Sequence, residues 1–519
     1  MKSDLLNNKT IGALWWSYQQ LDEHVKQCFT FCSIFPRRYE LQRDELVHMW
    51  MAEGFVKVTD ATRDMEDETG FGKPCYKIHD LLHELAGRAA GNDYFRIERG
   101  MVGHVPQDVR HIFIMSYDQR LFEEEILHLK SLRTVITLGM LSEDLCRLLQ
   151  SLKKLRVVHV KLEREYSLTG YLSQKKFIAD RDVHYFKDNE IANLVNLRYI
   201  KTHGEFLYPD IGRLTSLRTL SVFRVSKIRG YEIQQLEHLD NLHGTLTIKG
   251  LENVSGNEEA RQAKIYKKVH VTGLELIWYG DNESSKKQED VLEALRPPFL
   301  ITSLKISGYD GSTYPSWCSG EKGALKNLQD LQFVGCHAPP KIGESFMYLR
   351  TLVISNCRWC SVPENIECLT WLEKLTIDSC ENMESLPRLP LSLREIKIHI
   401  WYGSSLGENM ESLSSLEELT VDRCYNTASL PRLPLSLVKL TVEFWNGSAL
   451  AENMESLSSL QKLDLTRCPN ILSLPRLPSS LKELRISECD KFLIQTCKTE
   501  GNPNWEKIAH IENKLILEM

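Results

Sequence analysis

The sequence has no run of about 18 apolar residues, the length that a bilayer-crossing helix needs. Its first ten residues, Met1 to Thr10, are polar and hold no apolar signal core, so a cytoplasmic chain without a membrane span is expected. Charge of one sign is scarce as well. Lys and Arg number 64 against 70 Asp and Glu, a net charge of −6, which leaves no electrostatic footprint for nucleic acid. Nowhere is there a G-x-x-x-x-G-K-[ST] loop to cradle phosphates, a Ser or Cys in a nucleophile motif, or a pair of Cys/His pairs at zinc-finger spacing. The 16 histidines stand singly. An enzyme is therefore not expected, nor a metal site. Cysteine is not scarce, with 14 residues, but without a signal core a reducing compartment fits and a disulfide framework is not expected.

What is present is repetition. Leu386-Pro387-Arg388-Leu389-Pro390 returns as Leu430-Pro431-Arg432-Leu433-Pro434 and as Leu474-Pro475-Arg476-Leu477-Pro478, each copy 44 residues after the last. Asn409-Met410-Glu411-Ser412-Leu413 likewise returns as Asn453-Met454-Glu455-Ser456-Leu457. Inside each 44 sit two units of the form L-x-x-L-x-L-x-x-C/W, anchored at Leu372, Leu393, Leu416, Leu437, Leu460 and Leu481, with spacings of 21 and 23 in turn. Leu328 and Leu349 extend the rhythm backwards. This is the leucine-rich repeat period. In the unit beginning at Leu372, the alternation predicts that Leu375 and Ile377 point inward from a short strand while Thr376 and Asp378 point out. One unit cannot close a core around two such residues, so neighbours must stack into a curved parallel sheet. Eight units at roughly 4.8 Å each give a wall about 40 Å long. The ninth position, Cys336, Cys357, Cys380, Cys424, Cys468 and Cys489, needs a side chain that fits the inner turn and meets backbone groups. Trp401 and Trp445 replace it in two units, which predicts enlarged turns and an indole N–H in need of a partner. The C-x-x-C pair Cys357 and Cys360 is thereby explained without metal or redox chemistry.

The first hundred residues read differently. Helices are expected over Ile11 to Leu21, Val25 to Ser33, and about Leu41 to Ala52, the last ended by Gly54. Lys26-Gln27-Cys28-Phe29-Thr30-Phe31-Cys32-Ser33-Ile34-Phe35-Pro36, followed by Glu45-Leu46, Trp50 and Ala52-Glu53-Gly54-Phe55-Val56, closely resembles the winged-helix segment of plant intracellular immune receptors of the coiled-coil nucleotide-binding leucine-rich repeat class. Ile78-His79-Asp80 resembles that family's Met-His-Asp element, with Ile78 in place of Met. The resemblance implies an ancestral contact of His79 with the β-phosphate of ADP and a positioning role for Asp80. Read from the residues alone, Asp80 N-caps an amphipathic helix with Leu81, Leu82 and Leu85 on its apolar face, and His79 is a turn residue. The sequence departs from the family in lacking the phosphate loop, so no ADP or ATP is expected to be held although intact members bind them. A second loss against the family pattern lies between Val56 and Tyr76, where members have a further helix and strand: Asp64 to Gly70 resembles the beginning of that helix joined directly to the loop beyond it. The winged helix is expected to be incomplete and the chain to resemble an N-terminally truncated receptor. The third helix, with one full positive charge against two negative ones, is a poor DNA-recognition helix.

Beyond Gly91 the repeats are irregular at first, at Leu132, Leu155, Leu197 and Leu217, with Ser167 to Asn189 reading as a loop. Leu242 to Val254, Leu274 to Trp278, and Gly308 to Trp317 again resemble the receptors' repeat domain, with Asp281 to Asp290 reading as a solvated linker, and Asn504 to Ile511 resembles their terminus. The expected architecture is α/β: a leucine-rich repeat solenoid preceded by a small, mostly helical, incomplete winged-helix domain. Its expected parts are 1–98, irregular repeats over 105–235, the repeats of 236–495 and a cap over 496–519. Function is expected on the concave wall, at Thr376, Asp378, Lys397, His399, Thr420, Asp422, Thr441, Glu443, Asp464, Thr466, Arg485 and Ser487, with Phe444 as the one aromatic anchor. Such an array suits a protein partner better than a small molecule, which wants a closed apolar pocket. The resemblance implies a defence role, the partner being a pathogen protein, a guarded host protein or a full-length receptor. A substrate adaptor of a ubiquitin ligase is the alternative, although the N-terminal helices lack an F-box pattern.

Overall fold

The alternation read at Leu372 becomes a strand, Lys374–Asp378, in which Leu375 and Ile377 are buried and Thr376 and Asp378 are half-exposed. The structure is a computed structural model, and it describes residues 9–56, 75–98, 104–115, 124–138, 152–161, 183–185, 191–202, 205–207, 209–280, 284–318, 325–341, 346–363, 365–407 and 409–518. The reading of Asp64 to Gly70 lies outside them, as does most of Ser167 to Asn189. Within the latter span, Val183–Tyr185 is a strand and not a loop, paired with Glu205–Leu207. Contacts divide the chain into two units, Met1–Ile248 with Gln262–Thr272, and Lys249–Arg261 with Gly273–Met519.

In the first unit, α1 (Lys9–Gln19), α2 (Glu23–Phe31), α3 (Arg43–Glu53) and α4 (Asp80–Ala90) form the helical part. α3 stops where Gly54 takes φ 87° and turns its N–H back to Trp50 O at 3.0 Å, the left-handed C-cap that glycine adopts without strain. Leu41–Gln42 and Cys75–Tyr76 make a short antiparallel ribbon. A parallel sheet follows, in the order Thr219–Leu220, Tyr199–Thr202, Val157–Lys161, Thr134–Leu138, His111–Ile114 and Tyr94–Ile97. Phe31, Ile34, Phe35, Leu46 and Met49 of the helical part share one core with Phe113, Ile136, Val157 and Tyr199 of this sheet.

In the second unit, parallel strands succeed one another in chain order: Ser303–Ser307, Asp330–Val334, Thr351–Ser355, Lys374–Asp378, Glu395–Trp401, Glu418–Cys424, Lys439–Glu443, Lys462–Thr466, Glu483–Ser487 and Asn513–Leu517. Each returns through short turns such as Met410–Ser412 and Met454–Ser456, so the verbatim text of the repeats has identifiable work. Ser392, Ser436 and Ser480 donate to the leucine carbonyls of the preceding turn, at 2.9, 2.8 and 2.8 Å to Leu372, Leu416 and Leu460. Every inward Leu or Ile of the strands from Lys374 to Ser487 is at most 1% exposed; each contributes roughly 2 kcal/mol by leaving water. Asp281 to Asp290 is not a linker throughout. Its described end enters helix α5, Ser285–Ala294, which buries Gln288, Val291 and Leu292 one helical turn apart. At the C-terminus, α6 (Lys491–Lys498) and α7 (Pro503–Ile508) cover the last turn. Asn504 there accepts from Leu474 N at 3.1 Å, the service that Asn453 gives to Leu433 at 3.0 Å.

Candidate partner-binding face

Register turns the outward residues into lanes across the strands. Thr376, Lys397, Thr420, Thr441, Asp464 and Arg485 are successive partners, and so are Asp378, His399, Asp422, Glu443, Thr466 and Ser487. The structure thus brings all twelve sequence-predicted positions onto one side of one sheet. They are unequally presented: Asp422, Thr441 and Ser487 are 7, 8 and 3% exposed, whereas Arg485 is open to solvent. A third lane carries opposite charges in neighbouring strands, Lys374 with Glu395 at 3.2 Å, Lys439 with Glu418 at 3.3 Å, and Lys462 with Glu483 at 3.1 Å. These exposed pairs fix side-chain geometry more than stability. Beside the last strand, Asp464, Glu483, Arg485, Lys514 and Leu515 line an open hollow of about 350 Å³.

The strands end in one repeated turn. The residue before each Cys or Trp is left-handed: Ser379, Ile400, Arg423, Phe444, Arg467 and Glu488 have φ between 47 and 54°. The thiols behind them are buried and donate to backbone carbonyls, as in Cys357 Sγ to Ser355 O at 3.4 Å and to Phe333 O in the preceding repeat at 3.7 Å. Burial pushes the Cys318 and Cys424 thiols up to about 12. The described cysteines are all free thiols, and no group of three or more His, Cys, Asp or Glu among the described residues could hold a metal ion. Trp401 and Trp445 are fully buried, yet their indole N–H groups meet no acceptor among the described residues, contrary to the expectation from sequence.

Arg423 and Arg467 were not among the sequence-predicted positions. The structure stacks them on the two faces of Phe444, with guanidinium carbons 4.7 and 4.6 Å from the ring centroid. Arg423 donates to Asp422 Oδ2 at 3.0 Å, where His399 Nδ1 also meets it at 3.3 Å, and Arg467 donates to Glu488. The only hint in the sequence is the recurrence of Arg before Cys in two neighbouring copies. In the next row, Tyr402 and Tyr425 pack at 5.4 Å between centroids.

In the first unit an arginine ladder receives the C-terminal end of α3. Arg156 donates to Glu53 O at 2.8 Å, Arg198 to Ala52 O at 3.2 Å, and Arg218 to Met51 O at 3.0 Å. These are carbonyls of the helix's last turn, at the negative pole of its dipole, and Met51 O also accepts from Gly54 N at 3.1 Å. The Glu53 side chain is fully buried, accepts from Thr134 Oγ1 at 2.6 Å and faces Arg156 at 3.4 Å. Burial raises its carboxyl, against the pull of Thr134 and Arg156. Lys201 holds Glu45 at 2.8 Å. All three arginines directly follow the first Leu of their units, a Leu-Arg signal that sequence reading passed over. His79, not Asp80, is the N-cap of α4: its Nδ1 accepts from Leu81 N at 3.3 Å. Asp80 lies in the first turn and faces Arg38 at 3.5 Å.

Residues 233–357 match the model of R13L1/DRL21 leucine-rich repeats, and residues 34–70 match the winged-helix domain of disease resistance proteins. Disease resistance protein RGA2 of Solanum bulbocastanum is 28% identical over 433 residues, 76% of this chain and 42% of its own length. Disease resistance RPP13-like protein 4 of Arabidopsis thaliana is 23% identical over 384 residues, 61% of this chain and 43% of its own. The chain therefore spans about two-fifths of the length of such relatives. Among solved structures, a TDR receptor aligns over 76% of this chain and 73% of its own with 16% identity and a TM-score of 0.40. Winged helix and repeats together make the chain a relative of the plant disease-resistance proteins of NLR type.

Proposed function

We propose that the chain is a recognition module in plant defence, acting in the cytoplasm by binding a protein across the sheet face between Thr376 and Arg485. The partner is a pathogen protein, a guarded host protein or a full-length receptor, and the module neither catalyses a reaction nor retains a nucleotide. The observation that carries this reading lies within the duplicated copies. Leu-Pro-Arg-Leu-Pro is unchanged in all three, but the outward residues of the strands and of the turns that end them are not: Asp378, Asp422 and Thr466 occupy one strand position, His399, Glu443 and Ser487 another, and Ile400, Phe444 and Glu488, then Tyr402, Asn446 and Asp490, two positions at the strand ends. Packing explains the constant text, since it binds turn to turn. Inward positions change only among apolar residues such as Ile377, Val421 and Leu465, and solubility, which any polar residue would meet, gives no reason for the changes of charge and size at the outward ones. A surface that reads a partner does.

The test is capture from plant extract by the full chain, quantified by mass spectrometry for the unaltered protein, a Thr420→Arg variant and a Glu411→Arg variant. Glu411 lies in the return turn, away from the face. One or a few proteins are expected to be lost with Thr420→Arg and kept with Glu411→Arg. Equal loss with both, or no loss with either, contradicts the reading. The absence of nucleotide is tested separately: denaturing the purified chain is expected to release no stoichiometric ADP.

A further inference from the structure

Resting on the sheet-face reading, we infer that Arg423, Phe444 and Arg467 form the anchor of that face and that it takes a segment of protein bearing paired carboxylates, Asp or Glu side chains close in sequence. Three observations carry this. First, both guanidinium groups are held on the ring of Phe444, at 4.7 and 4.6 Å. A free surface arginine loses much rotamer freedom when it grips a ligand, whereas these two are already ordered, and the planar fork matches a carboxylate bidentately. Second, each guanidinium has five N–H donors but gives one to the protein, Arg423 to Asp422 and Arg467 to Glu488. The side chains remain 42 and 47% exposed, so the other donor edges are open to an incoming acceptor. Third, Phe444 has φ 47° in a turn where Gly308 and Gly335 serve in earlier repeats. The backbone there favours glycine, and the later repeats fill the position with unlike side chains, Ile400, Phe444 and Glu488 in successive copies, so the turn itself does not dictate an aromatic ring.

Asp422 and Glu488 sit beside the two cations, so the site offers directed hydrogen bonds and no broad positive field. Its selectivity should therefore be for geometry, and Lys should not replace Arg. Tyr402 and Tyr425, exposed in the adjoining row, extend the anchor toward the first of the two copies. Arg with aromatic residues is the composition that dominates interface energetics.

The experiment is selection of random dodecapeptides on the immobilised full chain, followed by fluorescence anisotropy of the selected peptides. Peptides with two nearby Asp or Glu residues are expected to be enriched, and their Asn/Gln counterparts to bind at least tenfold more weakly. Arg423→Gln with Arg467→Gln should weaken binding tenfold or more, Arg467→Lys severalfold, and Phe444→Leu severalfold by releasing both guanidinium groups, with circular dichroism unchanged throughout. No acidic enrichment, or affinity within twofold in the double variant, overturns the inference. If selected peptides are lost with Thr420→Arg yet kept by the arginine variants, the anchor is wrong and the sheet face stands. If no peptide binds anywhere on the chain, both fall.

Discussion

At Gly403 and Gly447 the two tryptophan turns hang on the absence of a side chain. A methyl group built on Gly403 collides with Glu384 O and the ring of Trp401, and one on Gly447 collides with Trp445 and Ala428 O. Gly403→Ala is therefore expected to lower stability by about 2 kcal/mol, measured by urea unfolding, because backbone and a fully buried indole cannot both yield. His111 makes a second prediction at this scale. Its ring stacks on Tyr94 at 4.4 Å and meets Thr134 Oγ1 at 3.1 Å, and burial with the nearby Arg133, Arg110 and Arg156 depresses it to about 3. The folded ring stays neutral while the unfolded one gains a proton below about 6.5, so this contribution is complete above that pH and declines as pH falls toward about 3. Between pH 6.5 and 5.5 the unfolding midpoint should fall with acidification, and His111→Gln should flatten that slope. A slope unchanged by the variant would assign the acid sensitivity elsewhere. Residue identities of this kind were partly legible: Cys at position nine announces a buried turn thiol, whereas the packing of Gly403 under Trp401 is visible only once the turn has its shape.

Among elements, α3 shows how a helix end is held by a sheet. Its last carbonyls and Glu53 meet arginines contributed by three separate repeat units, so docking is distributed but pivots on one buried carboxylate. Glu53→Ala would leave Thr134 and Arg156 without that acceptor and is expected to cost about 3 kcal/mol. Glu53→Gln, which keeps an acceptor and removes the buried charge, should cost markedly less. Equal losses in thermal unfolding would contradict the assignment. Helix existence was readable from Gly54 and the apolar spacing, and the ends fell within a few residues. The docking was not, because Glu53 and the arginines of the Leu-Arg pairs are more than eighty residues apart and each looks like ordinary surface charge. The first six residues of α5 fall in the stretch Asp281 to Asp290 that reads as a linker, being mostly charged, and the helix is held by Gln288 and by Val291 and Leu292 just beyond that stretch. The final strand, Asn513–Leu517, carries no Cys or repeat anchor, and joins the sheet through register with Glu483–Ser487.

For the whole molecule, the period of the sequence dictated the parallel sheet of the second unit, since a unit of 21 or 23 residues can bury its two inward residues only against its neighbours. The lanes of outward residues follow from that sheet with no further information. What period could not supply is which of those residues stay accessible, and the left-handed turn that lifts Arg423, Phe444 and Arg467 into a stack. The central claim is that a protein partner lies on this side of the sheet. Its most direct test places a photo-crosslinking amino acid, one position at a time, at Thr376, Lys397, Thr420 and Arg485 on the face and at Arg388, Glu411, Arg432 and Glu455 on the return turns, in the full chain exposed to plant extract. The account predicts crosslinked protein from the face positions and little from the return turns. Crosslinks of equal yield from both sets, or confined to the return turns, would contradict it.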